Sequence, residues 1–332
     1  FILNKSKYIG LFIIILFIAH VILGKTSWQY YPIYLLGVLY LILIVFNHFN
    51  LLSISPRAAR WMVSFGIVLL ASSVIFFVIL PTEELPKPTG QFFIGTRSFE
   101  LEDKSREEMY TQEENDVRKI KYQIWYPAQE IDGYEQAKWI SEGVDITRSI
   151  AQSMSLPGFV LDHTTTINSN SYLNAPISLA SSSYPVVVIS HGWQGFRQLH
   201  TDYAEQLASY GFIVISIDHT YGSQAVKFDD GKVALLNYDA LPDGAESSIY
   251  DPAATLLVST YGKDVVAVLD DLERLNQTNQ YFKGKLNLEQ LGLLGHSTGG
   301  GGDVYVALKD TRIKSLLGLD AWVKPLEPNE LS

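Results

Sequence analysis

Three apolar runs open the chain, Ile9 to Leu23, Tyr30 to Phe46 and Trp61 to Leu80, and none contains Asp, Glu, Lys or Arg. At ~1.5 Å rise per residue the third covers about 30 Å, a full hydrocarbon thickness; the first two reach it once their interfacial ends are counted. A surface helix of a soluble domain shows a polar stripe, whereas these runs are apolar on every side. Trp28, Tyr30, Tyr31 and Trp61 stand at their ends, where aromatic anchors belong. The pattern predicts three transmembrane helices within residues 1–80. No small-residue cleavage pattern closes the first run, so the segment is expected to be retained.

Residues 81–90 change character. Pro81, Pro86 and Pro88, interleaved with Glu83, Glu84 and Gly90, predict a short stiff linker. From residue 91 the pattern is that of a soluble domain extending to 332. Phe92 to Leu101 and Ile120 to Tyr126 predict strands joined by a charged, solvated loop over Glu102 to Arg118. Residues 128–183 predict surface excursions with weak helical periodicity at Ala137 to Gln152, and His163 is expected in a loop. Regular alternation follows: a strand at Val186 to Ser190, a helix at about Gln198 to Tyr210 ended by Gly211, a strand at Phe212 to Ile217, and a helix at Thr260 to Leu275. A strand then leads to Ser297, a helix spans Asp303 to Lys309, and a last strand spans Ile313 to Leu319. Fully apolar strands alternating with amphipathic helices predict an α/β fold, a mostly parallel sheet with helices on both faces.

The chemistry gathers at the strand ends. Gly295-His296-Ser297-Thr298-Gly299 fits G-x-S-x-G, and it follows Leu291, Leu293 and Leu294 and precedes a helix. That context is what a nucleophile elbow requires, so Ser297 is the expected nucleophile. Ser190-His191-Gly192-Trp193 ends another strand, and the backbone N–H groups of Trp193 and Thr298 are expected to form an oxyanion hole. Asp320 ends the strand after the elbow and can orient a histidine as the acid of a Ser-His-acid triad. His191, Gly192, His219, His296 and Trp322 are expected to line the site. The seven histidines are His20, His48, His163, His191, His200, His219 and His296. None follows Asp320, although the triad order on this fold is serine, acid, histidine. The expectation is a hydrolase domain incomplete at its C-terminus, with the catalytic histidine beyond residue 332.

Charge and composition narrow the function classes. All 35 acidic residues follow residue 80, and the first 80 residues carry only Lys5, Lys7, Lys25, Arg57 and Arg60. The acidic excess of the soluble part argues against a nucleic-acid partner. Zero cysteines exclude disulfides, thiolate metal sites and cysteine nucleophiles, and the expected chemistry needs no metal or cofactor. Lys5 and Lys7 before the first run, with Arg57 and Arg60 between the second and third, outnumber Lys25. That bias predicts a multi-pass cell-membrane protein with the hydrolase domain outside the cytoplasm.

SHGWQGFR at 190–197, GFIVISIDH at 211–219, GHSTGG at 295–300 and LDAWVKPL at 319–326 resemble the platelet-activating factor acetylhydrolase family of α/β-hydrolases, in its plasma and intracellular type II branch. The triad acid at LDAW, directly after the strand that follows the elbow, is the most specific element of the resemblance. It implies an α/β-hydrolase fold and a serine esterase that cleaves a short acyl ester of a phospholipid, with Ser297 as nucleophile, Asp320 as acid, and Trp193 and Thr298 as oxyanion donors. The chain departs from the family's animal members in carrying Thr298 where they have Phe, and in its membrane segment. The run Gly299 to Gly302 is also similar to polyester-hydrolysing cutinases. A broader carboxylesterase or cutinase-like activity is therefore one alternative, and a catalytically dead, membrane-bound binding module is another.

Overall fold

The computed structural model describes residues 2–23, 27–49, 51, 54–81, 84–113 and 115–326. Lys25, part of the charge bias, and Glu83 in the linker lie outside them. Helices α1 (Ile2–Leu23), α2 (Tyr31–His48) and α3 (Pro56–Ile79) form the N-terminal segment, with a 3-10 turn, Trp28–Tyr30, between α1 and α2. Among the described residues two helices are long and apolar enough to cross a bilayer, where the sequence predicts three: Trp28–His48 and Pro56–Ile79. The apolar part described for α1, Leu11–His20, is shorter than a span. The helices run antiparallel. His20 packs on Tyr30, Tyr30 on Phe77, and Trp28 on Phe76. Their outer faces present Leu35, Val38, Val45, Val68 and Val74 to the surroundings.

Among the described residues, ten strands, four helices and short 3-10 segments make the rest. The strands are β1 (Phe93–Glu107), β2 (Val117–Ala128), β3 (Gln136–Lys138), β4 (Asn168–Leu173), β5 (Tyr184–Ser190), β6 (Ile213–Asp218), β7 (Ala225–Lys227), β8 (Val233–Leu235), β9 (Leu286–His296) and β10 (Ile313–Leu319). The helices are α4 (Val144–Ser153), α5 (Thr201–Ser209), α6 (Ser247–Thr278) and α7 (Ser297–Ala307). Eight strands form one mixed sheet in the order β10-β9-β5-β6-β2-β1-β4-β3, and β7 and β8 pair separately. From β10 through β6 all neighbours are parallel, and β2 returns antiparallel to β6 and β1.

Period-two alternation sorts the strand residues between two cores. Val186, Val188, Ile213, Ile215, Ile217, Leu291 and Leu293 join Val265, Val268, Leu269 and Leu272 of α6 on one face. Ile189, Val214 and Leu294 join Ala204 and Ala208 of α5 on the other. Burying one such Leu or Ile side chain contributes about 1.5–3 kcal/mol, so these two layers fix where the strand ends come to lie.

Several boundaries differ from the sequence pattern. The charged stretch expected as a loop is the end of a ribbon in which β1 and β2 pair out to Asp103 opposite Arg118, before a bulge. Glu102 faces Lys119 and Glu100 faces Lys121, and such cross-strand pairs stabilise a ribbon that reads as polar. Arg118 is buried, its guanidinium doubly bonded to Asp264 of α6 and singly to Glu108. Residues 128–183 are structured: they hold β3, α4, β4 and a 3-10 segment, Gly158–Thr166, in which His163 is buried. The helix expected from Gln198 begins as a 3-10 turn and becomes α5 at Thr201, and Gly211 follows it with φ 96°.

Candidate active site

Four parallel strands end side by side, and each end delivers part of one site. β9 ends at His296, and α7 begins at Ser297, six residues before the sequence pattern suggests. Ser297 has φ 49°, the left-handed region that non-glycine residues rarely occupy and that a sharp strand-to-helix turn requires. The turn closes only because its glycines lack a side chain. A Cβ on Gly295 would lie 2.5 Å from Asp303 Oδ2 and 2.6 Å from Gly300 Cα, and one on Gly299 would strike the carbonyl oxygens of Ser190 and His191.

On one side of β9, Leu319 of β10 pairs with His296, so Asp320 and Ser297 leave adjacent strands at one level. Asp320 is exposed and has φ 50°. The next residues lock onto the elbow: the Trp322 N–H donates to the Ser297 carbonyl at 2.8 Å, and Ala321 lies against Gly300. The half-buried Trp322 ring packs 6.3 Å from that of Tyr250.

On the other side, Ser190 of β5 pairs with Gly295 and leads into a tight turn in which Gly195 N–H donates to the Gly192 carbonyl at 2.9 Å. Gln194 at the turn's third position has φ 65°, as a type II turn requires. Trp193 precedes it, and its N–H has no hydrogen-bond partner among the described residues. The Thr298 N–H lies in the first turn of α7, where amides lack intrahelical acceptors. Gly192 is so close to the elbow that a Cβ would lie 2.8 Å from His296 Nδ1 and 3.1 Å from Ser297 Cβ. The exposed His296 ring stands 6.2 Å from that of His200.

His191 and His219 lie beneath this surface, both fully buried. His191 Nδ1–H donates to the Gly192 carbonyl at 2.7 Å, which leaves Nε2 to accept from the Ser223 hydroxyl at 2.8 Å. His219 Nδ1–H donates to Asp264 at 3.1 Å, and its ring stacks on Tyr261 at 3.8 Å. Burial, and for His191 also the neighbouring His219, holds both imidazoles below their ordinary pKa, so both are neutral at pH 7. Burial alone would raise the carboxyl of Asp264, but the Arg118 guanidinium and His219 hold it well below the usual range. Among the described residues no imidazole nitrogen is hydrogen-bonded to the Ser297 hydroxyl, and no group of acidic and histidine side chains is arranged to hold a metal.

Asp303 has no counterpart in the sequence analysis. One turn and a half into α7, it is completely buried, with Oδ1 accepting from the Ser190 hydroxyl at 2.7 Å and Oδ2 unpartnered. Burial pushes its pKa up to about 8, and the Ser190 hydroxyl only partly offsets this. It thus bridges β5, which enters the Gly192–Gly195 turn, to the helix carrying the serine. Asp264 was equally missed. In each case the signal was an acid on a helix face otherwise given to the core.

The sheet order and this cluster define an α/β-hydrolase with a serine at its elbow. The chain belongs to the family described as platelet-activating factor acetylhydrolase, isoform II, whose model matches residues 78–233 and 254–332. The platelet-activating factor acetylhydrolase of Canis lupus familiaris is 24% identical over 306 residues, covering 82% of this chain and 61% of the dog protein. A probable 1-alkyl-2-acetylglycerophosphocholine esterase of Arthroderma benhamiae is 27% identical over 139 residues, 41% of this chain and 31% of that protein. The chain thus spans about three fifths of the dog protein's length. The ferulic acid esterase of Streptomyces cinnamoneus shares the fold with a TM-score of 0.55 at 23% identity, over 70% of this chain and 60% of that one.

Proposed function

We propose that this protein is a membrane-tethered serine esterase that cleaves a short acyl ester of a lipid through an acyl-enzyme. The observation that carries the reading is Ser297, held at positive φ between a buried strand and a glycine-lined helix. In this mechanism its hydroxyl oxygen attacks the ester carbonyl, and the N–H groups of Trp193 and Thr298 receive the oxyanion. The alcohol leaves, and water releases the acid. Asp320 stands where it can orient the imidazole that takes the serine proton. His191 and His219 are poorly placed to be that base: both rings are sealed beneath the surface, His191 is bonded at both nitrogens, His219 is held by Asp264, and neither is hydrogen-bonded to Ser297. Membership of the acetylhydrolase family supports a short acyl group on a phospholipid, and α2 and α3 support a site held close to lipid.

The test is hydrolysis of p-nitrophenyl acetate or butyrate by the protein and by Ser297→Ala. The variant is expected to lose about four to six orders of magnitude in turnover. Near-native activity in the variant would overturn the assignment of the nucleophile. A folded parent protein that binds a lipid ester without turnover would instead mark a binding module. Threonine at position 298 and the four-glycine run favour a second reading, a broader carboxylesterase. That reading predicts comparable kcat/KM for acetyl and longer acyl chains.

A further inference from the structure

We propose that Asp303 is a positioning residue of the esterase: through the Ser190 hydroxyl it ties the end of β5 to α7 and so sets the separation between the backbone N–H groups of Trp193 and Thr298. The proposal rests on the reading of Ser297 as nucleophile and of those two amides as the oxyanion donors. The amides stand on different elements. Thr298 lies in the first turn of α7, whereas Trp193 follows β5 in the tight turn closed by the Gly195 N–H on the Gly192 carbonyl. An oxyanion is held only if both donors reach one point at hydrogen-bond distance, so the offset between the end of β5 and α7 decides how well the pair works. Backbone bonding does not fix that offset. β5 is laddered to β6 and β9, and among the described residues no backbone hydrogen bond joins it to α7.

The side-chain bond from the Ser190 hydroxyl to Asp303 Oδ1 supplies the missing tie, at 2.7 Å. Ser190 is the register partner of Gly295, so the two lie side by side on neighbouring parallel strands. The carboxyl reaches over both: Oδ1 holds Ser190, and Oδ2 rests above Gly295, where a Cβ would come within 2.5 Å of it. One helical turn earlier, Gly299 meets the Ser190 and His191 carbonyl oxygens too closely for any Cβ. The contact that Asp303 holds shut therefore has no slack. Beyond Ser190 the chain is stiff, because His191 Nδ1–H and the Gly195 N–H both bond the Gly192 carbonyl, and the same planar peptide unit carries the Trp193 N–H on its opposite edge. A displacement of Ser190 is thus passed on to that amide. The residue type points the same way. Asp303 is fully buried with Oδ2 unpartnered, a placement that costs stability where an apolar side chain would not. What the acid supplies instead is a directed bond between two elements.

The full-length protein is assayed on p-nitrophenyl butyrate as Asp303→Val, Asp303→Asn, Ser190→Ala and the Ser190→Ala, Asp303→Val double variant, with rates normalised to the serine that a fluorophosphonate labels at completion. Asp303→Val and Ser190→Ala should each lower kcat about tenfold to a hundredfold with little change in KM, because a displaced donor weakens the transition state and leaves the bound ester alone. Asp303→Asn keeps a carbonyl oxygen in place of Oδ1 and should recover most of that loss. The double variant should be no slower than either single one, since both changes remove the same bond. Affinity for phenylboronic acid, which forms a tetrahedral anion on the serine, should fall in step with kcat. A purely structural role would lower the thermal midpoint and the labelled fraction while kcat per labelled serine stayed at the parent's level, and that result overturns the proposal. Losses that multiply in the double variant, or an asparagine variant as slow as the valine one, overturn it too. If Asp303→Val does not fold, Ser190→Ala set against Asp303→Asn gives the same comparison. A Ser297→Ala protein as active as its parent would instead remove the reading on which the proposal rests.

Discussion

Two residues of the site, Ser297 and Asp320, share a left-handed backbone that costs on the order of 1 kcal/mol or more for a side chain with a Cβ. The surrounding packing holds both, through the Trp322 to Ser297 hydrogen bond and the glycines of α7. Asp303 carries a different burden. In the unfolded chain its carboxyl ionises near the ordinary 3.8, whereas burial in the folded protein moves this to about 8. Below the lower value both states hold the proton. Between the two, only the folded state does, so stability falls as pH rises through this window and levels off above it. Asp303→Asn removes that dependence. Its thermal midpoint should gain on the parent's as the pH is raised from about 5 to about 8, with no further widening beyond. A gap independent of pH would show that the carboxyl is already ionised in the folded protein. The sequence could not reveal this group, because its partner Ser190 is 113 positions away.

The elements show what a pattern of polar and apolar positions carries and what it leaves out. The apolar runs of β5, β6 and β9 and the glycine-bounded serine are local properties, and these parts of the fold and site are legible in the chain. The β1–β2 ribbon is not, because its outer half consists of opposite charges that pair only when the strands face each other. Arg118 looks like a loop residue until Asp264, 146 positions away, is brought against it. The start of α7 is hidden by four successive glycines, each about 1 kcal/mol poorer than alanine in a helix; packing against α6 overrides that penalty. The same packing makes the glycines hard to replace. Gly299→Ala places a methyl against the Ser190 and His191 carbonyl oxygens at the end of β5, and a loss of about 1–3 kcal/mol in denaturant unfolding is expected, together with impaired turnover. A variant with parental stability and activity would mean that the turn can back away from α7 freely.

For the whole molecule, the membrane-tethered reading raises the question of which side of the membrane the sheet would occupy. The turn at Trp28 and the end of α3 are bonded to each other, so the linker and the hydrolase domain leave from the same side as that turn. On the membrane-tethered reading proposed above, the flanking Lys and Arg favour the opposite side as cytoplasmic and predict the domain outside. Alkaline phosphatase fused after Gly90 should then be active, and protease added to intact cells should reach the domain. Protection in intact cells with digestion after permeabilisation would reverse the orientation and move the substrate to the inner leaflet.

The bond between Trp28 and Val160 also constrains the order of assembly. Its two ends are 132 positions apart, and a chain made from its N-terminus presents the indole long before its acceptor exists. The ring can pack on Phe76 of α3 as soon as the helices form, whereas the indole N–H gains its acceptor only when the segment after α4 has been made. The N-terminal helices thus offer a ready-made surface on which the segment after α4 docks.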